Sequence, residues 1–224
     1  LRKLAQKSAS NRATMVKNSE CLNILGIVAK GSTEPANEAM RVISIMAQDD
    51  SLSGAVIDHC ELSIVYALSS ENTKAWCNTH SKECWALLAL VRLLQSGAAR
   101  ARLVGNGVTD LIRPLMSLGK DCPVATLDAT IAATYLFIPP PTEQPETEIQ
   151  VSHTTCALLV DTLDCISKSI DGNLFRLGRY TLVQMLELTT KLIKNDDGLR
   201  KRIVDEHFTI VRVLMHVLQN FMEG

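Results

Sequence analysis

Features that identify nucleic-acid binders and membrane proteins are missing from this 224-residue chain. Aromatic residues make up only 4% of it, so its core must consist mainly of Leu, Ile, Val, Ala and Met. The formal net charge is −1, whereas dedicated nucleic-acid binders usually carry a strong basic excess. No apolar run approaches the roughly 18 residues that a membrane span needs. We therefore expect neither nucleic acid nor a membrane span in its function.

Motifs of catalysis and phosphate binding are also missing. Gly105 and Gly107 lack the third glycine and the Lys-Ser/Thr pair of phosphate-binding loops. The only metal-like group is Cys77, His80 and Cys84, and it has no second half-site to complete four zinc ligands. A weak zinc site and a loop histidine beside buried thiols both remain open. We predict no catalytic residues, no cofactor, no metal and no small-molecule substrate.

Seven cysteines are an odd number, and they are spread over about 145 positions. Small secreted scaffolds carry denser, even-numbered cysteines. The spacing favours free thiols packed as small apolar residues, and it predicts a cytoplasmic location. Leu1 and Leu4 already lie at helical spacing, which suggests a fragment of a longer polypeptide.

Apolar residues recur at steps of three and four along most of the chain, as at Leu22, Leu25 and Val28. This period predicts amphipathic helices, and Gly, Pro and Asn clusters divide them into short pieces. We therefore predict an all-α fold.

Segments 15–25, 55–65, 102–112 and 202–211 share one pattern of apolar and polar residues. A short helix, a polar or glycine corner and a second helix are predicted in each. Longer third helices are predicted at 34–48, 81–95, 122–137 and 178–194. The first two steps, of 40 and about 47 residues, are typical of helical solenoids.

The corner Gly105-Asn106-Gly107 and the apolar run Trp85 to Leu90 resemble the armadillo family. The resemblance implies a right-handed α-solenoid of three-helix repeats, with HEAT-like repeats as the alternative. It implies one domain over 1–224, with approximate repeats 10–50, 51–97, 98–138, 150–196 and 198–222. A Pro/Glu-rich insertion, 138–149, is either a solvated loop or an extended docking segment.

In armadillo proteins the third helices line a concave groove that holds extended peptides or partner helices. Carried onto this chain, the resemblance places an exposed groove at Arg41, Ile45, Trp85, Ala89, Arg92, Ile131, Tyr135 and Gln184. Trp85 is interpreted as exposed in this groove, and the alternative is that it packs between repeats. Nuclear-import carriers of the family have Asn at the groove positions that Ile45, Ala89 and Tyr135 occupy here. None of the three is Asn, so a nuclear-signal peptide is not expected. The two arginines suit an acidic ligand better.

The predicted function is a non-enzymatic scaffold that binds a protein partner, as a peptide or helix. The alternatives are the client-binding part of a myosin-directed chaperone and a regulatory solenoid acting on a small GTPase. Charge is uneven, because residues 1–19 hold five bases and no acid, and 121–167 hold acids but no Lys or Arg. This pattern fits either ordinary solvated helix faces or a polarised surface that orients a charged partner.

Overall fold

The computed structural model describes residues 1–118, 121–137 and 197–206, together with the single positions 186, 189, 190 and 215. Throughout this part of the chain the regular structure is helical and contains no strand, which confirms the all-α prediction. The chain divides into two compact units, Leu1–Leu136 and Phe137–Gly224. The predicted single domain over 1–224 and its repeat bounds stay predictions. The insertion 138–149 and the third helix expected at 178–194 lie largely or wholly outside the described residues.

The described helices are short and follow one another closely along the chain. Their bounds are α1 Arg2–Lys7, α2 Ala9–Lys17, α3 Ser19–Ala29, α4 Glu34–Met46, α5 Ser53–Leu68, α6 Thr73–Cys77, α7 Lys82–Leu93, α8 Gly97–Gly105, α9 Val108–Leu115, α10 Pro123–Phe137 and α11 Asp197–Glu206. A 3₁₀ turn, Asp50–Leu52, leads into α5. The three predicted third helices that fall in this part of the chain agree with α4, α7 and α10 to within two residues at each end.

Side-chain caps and prolines explain where several helices begin. The Ser8, Asn18 and Ser81 side chains accept hydrogen bonds from backbone N–H groups at the starts of α2, α3 and α7. Such caps satisfy donors that the helix cannot pair itself. Pro35 lies in the first turn of α4 and Pro123 begins α10, where a missing N–H costs little.

The predicted glycine corner is present between α8 and α9. Gly107 has a φ of 73°, in the left-handed region that favours glycine. The corner predicted within segment 55–65 is wrong, because α5 runs unbroken through the whole segment. No glycine or proline interrupts the chain between Gly54 and Leu68, so nothing there forces the backbone out of the helix.

The core of the first unit lies where α4, α5 and α7 meet. α4 packs against α3 and α7, α5 packs against the same two helices, and α1 lies against α2 and α4. The largest fully buried side chains come mostly from α4, α5 and α7, and they include Met40, Ile43, Ile57, Ile64, Leu87, Leu88, Leu90 and Leu93. This aliphatic core agrees with the low aromatic content.

α3 and α5 approach each other closely at Gly26. The Ser63 hydroxyl donates to the Gly26 carbonyl at 2.7 Å, and a Cβ at Gly26 would meet the His59 carbonyl oxygen at 2.9 Å. The neighbouring Cys60 thiol points at the Leu22 carbonyl, with Sγ to O at 3.6 Å. Burial, and to a lesser extent the nearby Cys21, raises the pKa of Cys60 to about 12. Glycine therefore sets the separation of these two helices.

A cluster of polar side chains connects α8 to α5. The Arg102 guanidinium contacts Glu61 at 3.0 Å and also Asp58, and the Asn106 amide donates to Glu61. The hydrogen bond to Asp58 is the main reason that the pKa of Arg102 lies above its usual range. Glu61 is almost fully buried, so these donors compensate the loss of its hydration.

A disulfide joins Cys77, at the end of α6, to Cys122, just before α10. The prediction of free thiols is therefore wrong for this pair, because 45 residues separate two cysteines that the fold brings together. Sequence spacing alone does not reveal such a pairing. In the described part of the chain, Cys21 and Cys60 are free thiols.

Candidate interaction surface

Four of the predicted groove residues are buried in the described part of the chain. Trp85 is only 8% exposed, Ile45 is equally buried, and Ala89 and Ile131 have no exposed area. Arg41, Arg92 and Tyr135 are half-buried. Gln184 lies outside the described residues. The prediction that Trp85, Ala89 and Ile131 face solvent is therefore wrong; their role in partner binding stays a prediction.

The burial of α7 has a cause that is visible in its sequence. Every residue from Glu83 to Val91 is buried, although these positions cover all sides of a helix. A helix that is apolar all round is expected to lie inside a protein rather than at its surface. The alternative interpretation of Trp85, as a packing residue, fits this environment.

The two predicted groove arginines have partners within the chain. The Arg41 guanidinium lies over the Trp85 ring, 4.8 Å from its centroid, and contacts the Glu38 carboxylate at 3.5 Å. The Arg92 guanidinium donates to the Ser44 carbonyl of α4. Both side chains therefore join α4 to α7, and their predicted role toward an acidic ligand stays a prediction.

Glu38 connects α4 to α1. Its carboxylate accepts a hydrogen bond from Arg2 at 3.0 Å and forms an ion pair with Arg41 at 3.5 Å, so two cations share one anion. All three side chains are partly exposed, and such pairs contribute little to stability individually. The three charged groups leave this edge of α4 with a net positive charge.

α3 has one buried face and one exposed apolar face. Leu22, Leu25 and Ala29 are buried against the neighbouring helices. Ile24 is 53% exposed and Ile27 is 71% exposed, and Val28 lies beside them at 37%. The three exposed residues stand at positions i, i+3 and i+4, so they form one stripe on the helix. Val28 is therefore partly exposed, although its spacing from Leu22 and Leu25 predicts that it lies on the buried face.

An apolar groove borders this stripe. It lies between α1, α3 and α4 and has a volume of about 490 Å³. Its lining residues are Leu1, Arg2, Lys3, Ile24, Leu25, Val28, Pro35, Glu38, Ala39 and Val42. Three of the ten are charged and the others are apolar, so the groove has an apolar floor and a charged rim.

Exposed apolar residues also lie on α5, the helix that packs against α3. Leu62 is 72% exposed and Tyr66 is 57% exposed. The Lys82 ammonium lies 5.3 Å from the Tyr66 ring centroid and donates to the Gly31 carbonyl just beyond α3. We call the exposed residues Ile24, Ile27, Val28, Leu62 and Tyr66, with the groove beside them, the α3 surface.

Sequence reasoning missed the α3 surface although a signal was present. α3 contains only three polar residues, Ser19, Glu20 and Asn23, and two of them fall in its first turn. Such a helix is apolar on more faces than α4 and α5 can cover. Counting apolar faces, rather than matching one period, would have identified it.

No metal centre emerges within the described residues. No group of three or more His, Cys, Asp or Glu side chains there has a geometry that could hold an ion. Cys77 is bound to Cys122, and the Cys84 thiol contacts the Trp76 carbonyl, with Sγ to O at 3.2 Å. The Cys77, His80, Cys84 spacing therefore does not assemble a set of thiolate ligands.

Searches against models of protein families, curated proteins and solved structures found no match for this chain. None of the helices in the described residues has the length and apolar character needed to cross a membrane.

Proposed function

We propose that this chain is a non-enzymatic helical-repeat domain of the armadillo type that binds a partner protein. The helix order supports the repeat assignment. α8, the Gly107 corner, α9 and the longer α10 follow the predicted three-helix anatomy, and α2, α3 and α4 repeat that order. Repeat domains of this kind bury their cores by stacking and present long surfaces to partners.

The observation that carries the binding function is the α3 surface. Three large aliphatic side chains on α3 and two large side chains on α5 are exposed, although α3 and α5 are packed together. Single exposed apolar residues are common, but a group of them on two packed helices beside an apolar groove is typical of interaction sites. In this proposal the α3 surface replaces the buried third-helix residues as the binding site.

The Cys77–Cys122 disulfide also bears on where in the cell the protein is located. Disulfides are rare in the cytoplasm, so the Cys77–Cys122 bond argues against the cytoplasmic location that the odd cysteine number predicts. Mass spectrometry of non-reduced peptides from protein isolated under alkylating conditions would show whether the bond forms in the cell.

Affinity capture with paired variants tests the binding function. Ile27→Glu places a charge on the α3 surface, and Val104→Glu places the same charge on an exposed valine of α8. A genuine partner should be retained by the wild type and by Val104→Glu, and lost with Ile27→Glu. Capture of the same proteins by all three chains would refute binding through this surface, provided that both variants keep the wild-type melting temperature.

A further inference from the structure

We infer that the α3 surface binds an amphipathic helix whose apolar stripe is flanked by acidic residues. This inference rests on the proposed partner-binding function and names the kind of partner. It follows from the backbone, the shape and the charge of the surface.

The backbone of the surface selects a helical partner over an extended one. The surface consists of α1, α3, α4 and α5, whose backbone groups are paired within their own helices, and the described residues contain no strand edge. An extended peptide that binds by strand addition needs such an edge for its main-chain hydrogen bonds. On this apolar floor its N–H and C=O groups would lose water without gaining partners. A helix brings its own backbone hydrogen bonds and needs only apolar contact.

The shape of the surface also fits a helix. Ile24 and Val28 line the groove beside α1, and Ile27 belongs to the same exposed stripe of α3. Asn23, one turn before Ile27, contacts His59 of α5 at 2.9 Å, and Tyr66 lies two turns after His59. The apolar residues thus continue from the groove across α3 to α5. Apolar residues spread over two adjacent helices suit the i, i+3, i+4, i+7 anchors of a bound helix, whereas a small ligand would be enclosed by a single pocket.

The charge around the groove favours acidic flanks on the partner. α1 carries Arg2, Lys3 and Lys7 and no acid, and residues 1–19 hold five bases in total. Arg2 and Lys3 line the groove, and its one acidic lining residue, Glu38, is already shared by Arg2 and Arg41. Glu20 and Glu34 lie at the starts of α3 and α4, outside the groove lining. Acidic residues of the partner should therefore face α1.

Two designed peptides test this inference on the full 224-residue chain. Both carry the same Leu stripe on a helical Ala-rich background, and the flanking positions are Glu in one peptide and Lys in the other. We expect the Glu-flanked peptide to bind at least about tenfold more tightly at low salt, because complementary charge and apolar contact act together. The difference should shrink as salt rises, because exposed charges are screened beyond about 10 Å at 0.1 M. Fluorescence anisotropy measures both affinities.

Protein variants separate the apolar and charged contributions. Ile24→Glu should weaken both peptides by more than about tenfold, as expected for a central apolar contact. Lys3→Glu combined with Lys7→Glu should weaken only the Glu-flanked peptide, by about 3- to 10-fold, the size of two exposed charge pairs. Val104→Glu is the matched control and should leave both affinities unchanged.

Several outcomes would overturn the inference. Equal affinities for the two peptides would show that charge does not select the partner. If neither peptide binds measurably, the partner is not an amphipathic helix. A dimer in sedimentation that Ile24→Glu dissociates would assign the surface to a second copy of this chain. If peptide binding fails while Ile27→Glu still abolishes capture of a partner, the proposed function stands and the partner is of another kind.

Discussion

The close approach of α3 and α5 makes Gly26→Ala the most informative single change in the first unit. The new Cβ would lie 2.9 Å from the His59 carbonyl oxygen and 3.4 Å from the Ser63 hydroxyl oxygen. The first distance is about 0.5 Å short of ordinary van der Waals contact. The carbonyl belongs to the backbone in the middle of α5 and cannot rotate away, so the two helices must separate.

Two opposing terms set the size of the effect. Replacing an interior helical glycine by alanine favours the helix by about 0.5–1 kcal/mol. Overpacking a tight contact costs about 1–3 kcal/mol, and separation also lengthens the 2.7 Å bond from Ser63 to Gly26, which contributes about 1 kcal/mol. We therefore expect a net loss of about 1–2 kcal/mol in the free energy of unfolding.

Tryptophan fluorescence during urea unfolding measures this loss in the relevant unit. The only tryptophans of the chain, Trp76 and Trp85, both lie in Leu1–Leu136 and are buried. A lower midpoint with an unchanged slope reports a change in stability. Gly105→Ala is the matched control, because nothing lies within 4 Å of a Cβ at the end of α8.

The control should be neutral or stabilising by up to about 1 kcal/mol. If Gly26→Ala proves as stable as Gly105→Ala, the helices are not in close contact at Gly26 and the packing described for α3 and α5 is wrong.

Three further predictions concern Trp85, the disulfide and Cys60. Trp85→Ala should lower the free energy of unfolding by about 3–5 kcal/mol, as for other buried large-to-small changes. Circular dichroism in urea measures this loss. A loss below about 1 kcal/mol would show that the ring is a surface group. Reduction of Cys77–Cys122 should cost about 2–4 kcal/mol, because the bond closes a 45-residue separation; the double change Cys77→Ala and Cys122→Ala should make stability independent of reductant. Cys60 has a pKa raised from 9.0 to about 12 in the folded state, so above pH 9 the unfolded state loses this proton first and stability falls until about pH 12. Unfolding of the wild type and of Cys60→Ala should therefore differ in slope over that window, and parallel curves would contradict the buried thiol.

Local features of the fold could be predicted because they depend on short stretches of sequence. Pro35, Ser81 and Pro123 mark helix starts, and Gly107 marks a corner, since each acts through its own backbone or a hydrogen bond a few residues away. α5 was predicted less well, because an expected corner rested on similarity to other segments and not on a helix-breaking residue within segment 55–65.

The candidate site was harder to predict because exposure depends on neighbouring helices. The groove prediction assumed that every third helix keeps one face in solvent, and α7 lies against α4, α5 and α6 instead. The disulfide escaped prediction for a related reason, since Cys77 and Cys122 meet only after the intervening helices have packed.

The contrast between α3 and α7 gives the final reason for assigning binding to the α3 surface. Both helices are apolar on nearly all sides, so each needs neighbours on all sides to bury its apolar side chains. α7 has them, and its residues from Glu83 to Val91 are buried. α3 packs mainly against α4 and α5, and Ile24 and Ile27 remain in solvent. A folded domain gains nothing in stability from large aliphatic side chains held in water, whereas a partner helix that covers them converts this apolar area into binding free energy.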